Sequence, residues 1–178
     1  MMKGHKRASR SLPKILLAMD SSGSMCSATM KQIASAIADI FDTCGRPTEG
    51  CYICKHTHKV SEVKPLKQWK TVAESFYASG GNDFSAVMEK ALELGVDVVL
   101  NVGDGQDYCI RDYDTTKKAV AKGLKWYDCN VTHGGYRRWS SLIKDEKMVS
   151  EDRGRVRMER HWIDLTGEHP VDELKGVK

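Results

Sequence analysis

The stretch Lys14-Ile-Leu-Leu-Ala-Met-Asp20-Ser-Ser-Gly-Ser24 decides the fold. Its first half is a short apolar run without alternation, the pattern of a parallel strand covered on both faces. Its second half is a small polar loop that begins with an acid. Beyond it Met30, Ile33, Ala34, Ile37, Ile40 and Phe41 recur at helical spacing, and Gly45 and Pro47 end that helix. Strand, polar loop and amphipathic helix in this order open a βαβ unit.

The same alternation continues down the chain. Cys51 to His56 reads as a second strand and Lys59 to Val63 as a third, joined by Thr57 and His58 as a hairpin. Leu66, Trp69, Val72, Ala73 and Phe76 form a second amphipathic helix, which stops at Ser79-Gly80-Gly81-Asn82-Asp83. Phe84 to Leu94 is a third helix. Val96 to Val102 is the clearest buried strand, and it ends in Gly103-Asp104-Gly105-Gln106-Asp107. Asp114 is expected to cap a helix from Thr115 to about Lys122, closed by Gly123, before a last strand from Leu124 to Val131. The predicted fold is α/β and Rossmann-like. It has a mostly parallel central sheet with one antiparallel hairpin strand, flanked by helices on both faces.

Composition narrows the class. A chain of 178 residues, 40% hydrophobic and 29% charged, fits one soluble domain with a core of its own. No apolar run is long enough to span a membrane, and Leu12 to Met19 is interrupted by Pro13 and Lys14, so it is no secretory signal. The expected location is therefore cytoplasmic, with the six cysteines as thiols. Five of the 28 basic residues lie among the first 14 positions, which hold no acid; the other 23 face 24 acids. The basic charge belongs to a tail, residues 1–13, expected to be flexible. Nucleic acid is not an expected partner except through that tail. The metal-binding domain is expected over residues 14–135. Residues 136–178 form a charged extension with Trp139, Trp162, Ile163 and Leu165 scattered through it, in which Asp152-Arg153-Gly154 is the one hairpin signal.

Two acids stand at strand ends. Asp20 follows the first strand and Asp104 follows the strand from Val96. In open α/β sheets ligands bind outside the carboxyl ends of strands, where the strand order reverses. Two carboxylates there repel each other unless a cation lies between them. Asp20, Ser22, Ser24 and Asp104 offer hard oxygens only, which suit Mg²⁺, Mn²⁺ or Ca²⁺ rather than zinc. The spacing Asp-x-Ser-x-Ser lets three side chains face inward from one tight loop.

With these residues in view, the chain resembles von Willebrand factor A domains. Asp20-Ser21-Ser22-Gly23-Ser24 matches the D-x-S-G-S signature at the core of their metal-ion-dependent adhesion site. Gly80-Gly81-Asn82-Asp83 and Gly103-Asp104-Gly105 stand where the family has its G-G-T-D and T-D-G loops. The likeness covers roughly residues 14 to 131 and is nearest to small cytosolic members of bacterial and phage type. It implies metal ligands at Asp20, Ser22, Ser24, Asn82 and Asp104, and a partner whose Asp or Glu completes the coordination shell. Related cytosolic proteins serve as adaptors, some for ring-shaped AAA+ ATPases. Two positions depart from the pattern. Asn82 replaces a threonine, so its amide oxygen either ligates or only shapes the loop. Gly103 replaces the threonine before Asp104, which alters the surroundings of the ligands rather than the ligand set.

Three rival readings stand beside this one. Cys51, Cys54, His56 and His58 are zinc-ligand types, but alternation along a strand sends Cys51 to one side and the other three to the opposite side. A metal-dependent hydrolase or phosphoryl-transfer enzyme needs a base near the ion, and His133 beyond the last strand is the one candidate by topology. A scaffold that kept the loops but lost the ion predicts no metal response.

Overall fold

The computed structural model describes residues 12–43, 48–77, 80–81, 83–104, 112–132, 140 and 158–166. Six strands form one sheet in the order β3-β2-β1-β4-β5-β6. They are β1 Ile15–Asp20, β2 Tyr52–His56, β3 Val60–Pro65, β4 Val98–Gly103, β5 Lys125–Asn130 and β6 Arg160–Asp164. The helices are α1 Ser27–Thr43, α2 Trp69–Glu74, α3 Ser85–Leu94 and α4 Tyr113–Lys122, and a 3-10 turn over Leu66–Gln68 leads into α2. Every pairing is parallel except β2 with β3. The fold is therefore the expected α/β, Rossmann-like one, with its single antiparallel strand at one edge.

Burial explains why β1 and β4 are legible as apolar runs. Both are central, and every residue of each is buried. Ile15, Leu17 and Met19 face one way and pack with Met30, Ala34, Ile37 and Phe41 of α1 and Val72 and Ala73 of α2. Leu16 and Ala18 face the other way, against Val87, Met88 and Ala91 of α3 and Ala119 of α4. At about 25 cal/mol per Å² of apolar surface, these two layers supply the main driving force for folding.

Three details differ from the expectation. The sheet gains a sixth strand, because Trp126 to Asn130 pair in parallel with Arg160 to Asp164. β5 is thus not the last strand, and Arg160–Asp164 of the C-terminal extension add an edge strand beyond it. The cap of α4 is Asp112 rather than Asp114: its carboxylate accepts the N–H groups of Asp114 at 2.9 Å and Thr115 at 3.1 Å. Those bonds, Thr115's first, hold its carboxyl below the usual value. Gly123 closes this helix in the left-handed region at φ 74°, which a side chain would strain. The expected second helix is split into the 3-10 turn and the short α2. The hairpin signal at residues 152–154 lies outside the described residues, as do residues 1–11 of the basic tail. No helix among the described residues is long and apolar enough to cross a membrane.

Candidate metal centre

The strand order places the switch point between β1 and β4. From β1 the chain builds outward through β2 to β3, then returns to β4 and builds the other way. Asp20 is the last residue of β1 and Asp104 directly follows β4. In the parallel register Met19 stands opposite Val102, so the two acids leave neighbouring strands at nearly the same level. Both are buried, at 1% and 5% exposure.

The loop after β1 is held by its own bonds. Asp20 Oδ1 accepts the backbone N–H of Ser22 at 2.7 Å, and Met25 N–H reaches the Ser22 carbonyl at 3.0 Å. Ser21 turns away, donating both its N–H and its hydroxyl to the His56 carbonyl at 2.9 Å. Ser22 and Ser24 are thereby on the same side of the loop, their hydroxyl oxygens 3.3 Å apart. Ser22 is buried and Ser24 is exposed, so the loop opens to solvent on its Ser24 side. Neighbouring oxygen ligands stand about 3 Å apart around Mg²⁺ and about 3.4 Å around Ca²⁺, from their usual bond lengths. The serine pair fits that range. Two carboxylates and two hydroxyls are the donor set of a hard divalent ion.

Asn82, the fifth expected ligand, lies outside the described residues. Of the same loop, Gly80, Gly81 and Asp83 are described. Gly80 carbonyl accepts Gly23 N–H at 3.2 Å, which docks the glycine loop on the serine loop. Asp83 donates its N–H to Thr57 and accepts Ser85 N–H on its carboxylate at 3.0 Å, so it braces its own turn at the start of α3. On the far side Thr132 donates its hydroxyl to the Asp104 carbonyl at 2.6 Å.

Gly103 has a consequence for Asp20. A Cβ at this position would lie 3.2 Å from Asp20 Oδ2 and 3.4 Å from its Cβ. The carboxylate of Asp20 therefore leans over a bare backbone.

Below the centre, on the α3–α4 face, runs a chain of buried polar side chains absent from the sequence-based expectation. His56 Nε2 meets Asn101 Oδ1 at 2.9 Å, and Asn101 Nδ2 points to Asp128 Oδ1 at 3.4 Å. The amide nitrogen faces the carboxylate, so its oxygen accepts from His56, which must carry its proton on Nε2. Trp126 Nε1 donates to Asp128 Oδ1 at 2.8 Å, Arg160 donates through Nε to Asp128 Oδ2 at 2.9 Å, and its Nη2 stands 2.8 Å from the same oxygen as an ion pair. Phe84 packs edge-on to His56, and the Arg160 guanidinium lies 6.0 Å from its ring centre. Burial pushes the His56 imidazole down to about 4, against the opposing bonds from Asn101 and Thr57. The one signal of this network in the sequence is the polar residue in each apolar strand, Asn101 in β4 and Asp128 in β5.

These contacts also remove His56 from the zinc reading. Cys54 shares its face and is fully buried, and burial drives that thiol up to about 12. Among the described residues no group of three or more His, Cys, Asp or Glu is placed to hold an ion. Cys26, Cys51, Cys54 and Cys129 are free thiols. His133 and Asp107 lie outside the described residues.

No protein-family model matches this chain, and no curated protein matches its sequence. Solved structures do. An aerotolerance-related membrane protein from Bacteroides fragilis NCTC 9343 aligns at TM-score 0.50 and 15% identity, over 66% of this chain and 67% of that one. A von Willebrand factor type A protein from Catenulispora acidiphila aligns at TM-score 0.45 and 13% identity, over 68% of this chain and 34% of that one. The chain thus spans about a third of the second protein. At such identities the likeness is one of fold.

Proposed function

We propose that this chain is a divalent-cation-dependent protein-binding module. The observation that carries the reading is the pair of buried acids, Asp20 and Asp104, at the ends of adjacent parallel strands, with the paired Ser22 and Ser24 hydroxyls in the loop that Asp20 opens. Two acids brought to neighbouring strand ends favour a positive charge between them. A divalent cation supplies that charge and, bound there, acts as an electrophile for one further oxygen ligand. Asp20, Ser22, Ser24 and Asp104 would hold it, with Asn82 as a fifth candidate. Asp20 is already oriented by Ser22 N–H, and Ser24 lies on the solvent side, where an incoming Asp or Glu of a partner would approach. A carboxylate bound this way gives a charge-assisted contact of defined geometry. Mg²⁺ is the first candidate, with Mn²⁺ and Ca²⁺ as alternatives. An AAA+ ATPase is a partner class suggested by resemblance alone.

We read the module as non-enzymatic. Turnover needs a positioned base beside the ion. Among the described residues His56 is fully buried and bonded to Asn101, and Asp83 braces its own turn. A cytoplasmic location agrees with the free thiols. The test is partner capture from lysate with and without EDTA, using wild type and Asp104→Ala. The reading expects partners that both treatments remove while the fold persists. Equal recovery from Asp104→Ala, or metal-dependent hydrolysis that Asp20→Ala abolishes, would overturn it.

A further inference from the structure

We infer that the β2–β3 hairpin tip is a second subsite beside the cation centre, where Lys59 takes a second acidic side chain of the partner. The inference rests on the reading of the centre as an ion site that captures a partner's Asp or Glu. β2 ends at His56, level with Asp20 at the end of β1. The tip Thr57-His58-Lys59 therefore stands at the carboxyl end of the sheet, where Asp20 and Asp104 lie. Its own turn is closed by Thr57 N–H on the Lys59 carbonyl at 3.1 Å. Two contacts then fix it against the glycine loop. Asp83 donates its N–H to the Thr57 carbonyl at 3.1 Å. The His58 ring lies on the backbone of Gly81, with Cε1 3.0 Å from the place of a Cβ there. Gly81 follows Gly80, whose carbonyl accepts the N–H of Gly23, between Ser22 and Ser24, at 3.2 Å. The tip is thus one loop away from the serine hydroxyls, and His58 and Lys59 are both exposed.

The described charges at this end of the sheet are unequally placed. Towards β5 and β6 they are acids: Asp112 and Asp114 at the start of α4, and Asp164 at the end of β6. On the hairpin side Asp83 has its carboxylate engaged by Ser85 N–H at 3.0 Å, and Glu74 stands back at the end of α2. Lys59 is the cation of that side, since Lys55 is buried and paired with Glu62. A partner held on the ion by one carboxylate has a neighbouring acid repelled from the α4 side and drawn to Lys59. Tyr77, 79% exposed, lies on the same side, three residues before Gly80 and so within about 11 Å of it along the chain. Its ring gives the partner an aromatic surface of the kind that anchors interfaces. The partner that fits is a protein segment with two acids close in sequence, the first on the ion and the second on Lys59.

The probes are capped Gly-Ser peptides that carry one Asp, alone or followed two, three or four residues later by a Glu. Their affinities for the full chain are measured by fluorescence anisotropy in Mn²⁺, with wild type and Lys59→Glu. Wild type is expected to bind at least one two-acid peptide about two- to fivefold tighter than the one-acid peptide, the scale of an exposed ion pair. The gain should shrink as salt is added, and Lys59→Glu should turn it into a loss. Equal affinity for one-acid and two-acid peptides at every spacing, or a gain that survives Lys59→Glu, would overturn the proposal while leaving the cation centre as read. Binding of the one-acid peptide that does not need Mn²⁺, or no binding of it at all, would overturn both this inference and the reading on which it rests.

Discussion

The two faces of the sheet solve the problem of burial differently. The α1–α2 face is filled by Ile15, Leu17, Met19, Ile37, Phe41, Val98 and Leu100, side chains that need only to pack. The α3–α4 face has an apolar part around Leu16, Val87 and Trp126, but towards the carboxyl ends it carries His56, Asn101, Asp128 and Arg160 in one bonded chain. One face tolerates changes of shape at the cost of cavities, whereas the other depends on every partner being present. The polar chain joins β2, β4, β5 and β6, so it ties β4, whose end leads into Asp104, to β2 on one side and to β6 on the other. It also seats Phe84, next to Asp83 of the glycine loop, against His56 and Arg160.

The contrast breaks most sharply at Arg160. Arg160→Met leaves Asp128 buried without its cation, and a loss of about 3–5 kcal/mol in urea unfolding is expected. A loss under about 1 kcal/mol would mean that Asp128 takes up a proton or water without penalty. Leu17→Ala on the apolar face should cost about 2–5 kcal/mol through the cavity it leaves, with no change in that cost between pH 4 and 7.

Acid sharpens the same contrast. His56 is held near 4 in the fold, against 6.5 when free, so the unfolded chain takes a proton that the folded one refuses. Its contribution is complete above about pH 6.5 and is lost as pH falls towards 4. The loss approaches about 3 kcal/mol at the lower end. His56→Gln keeps an N–H donor for Asn101 and should flatten that slope; an unchanged slope would assign it to other groups. The smallest effect is expected far from both faces' polar contacts. Asp112→Ala removes the cap of α4 and should cost about 1 kcal/mol, and a shift indistinguishable from zero would return the capping role to Asp114.

Much of this architecture is legible in the chain because central strands buried on both faces must be continuously apolar. Lys14 to Met19 and Val96 to Val102 show it, and the acids that end them mark the switch point. β6 escapes the same logic. Arg160-His161-Trp162-Ile163-Asp164 reads as polar, because a buried arginine is recognisable only with the Asp128 that neutralises it, 32 residues earlier. His56 misleads for a related reason: beside Cys54 it looks like a metal ligand until Asn101, a mere interruption of an apolar strand in the sequence, turns out to face it. The caps at Asp112 and Asp114 are two residues apart, and only the geometry of the turn selects between them. Of the candidate centre, the sequence order proposes Asp20, Ser22, Ser24, Asn82 and Asp104, but the closeness of Gly103 to the Asp20 carboxylate is a property of register between β1 and β4.

The central claim is that Asp20 and Asp104 hold a divalent cation, and thermal unfolding in millimolar Mg²⁺ or Mn²⁺ tests it most directly. An ion that binds only the folded chain raises the melting temperature by mass action. The account predicts a rise in the wild type that EDTA reverses and that Asp20→Ala abolishes; no rise in the wild type, or an equal rise in Asp20→Ala, would contradict it.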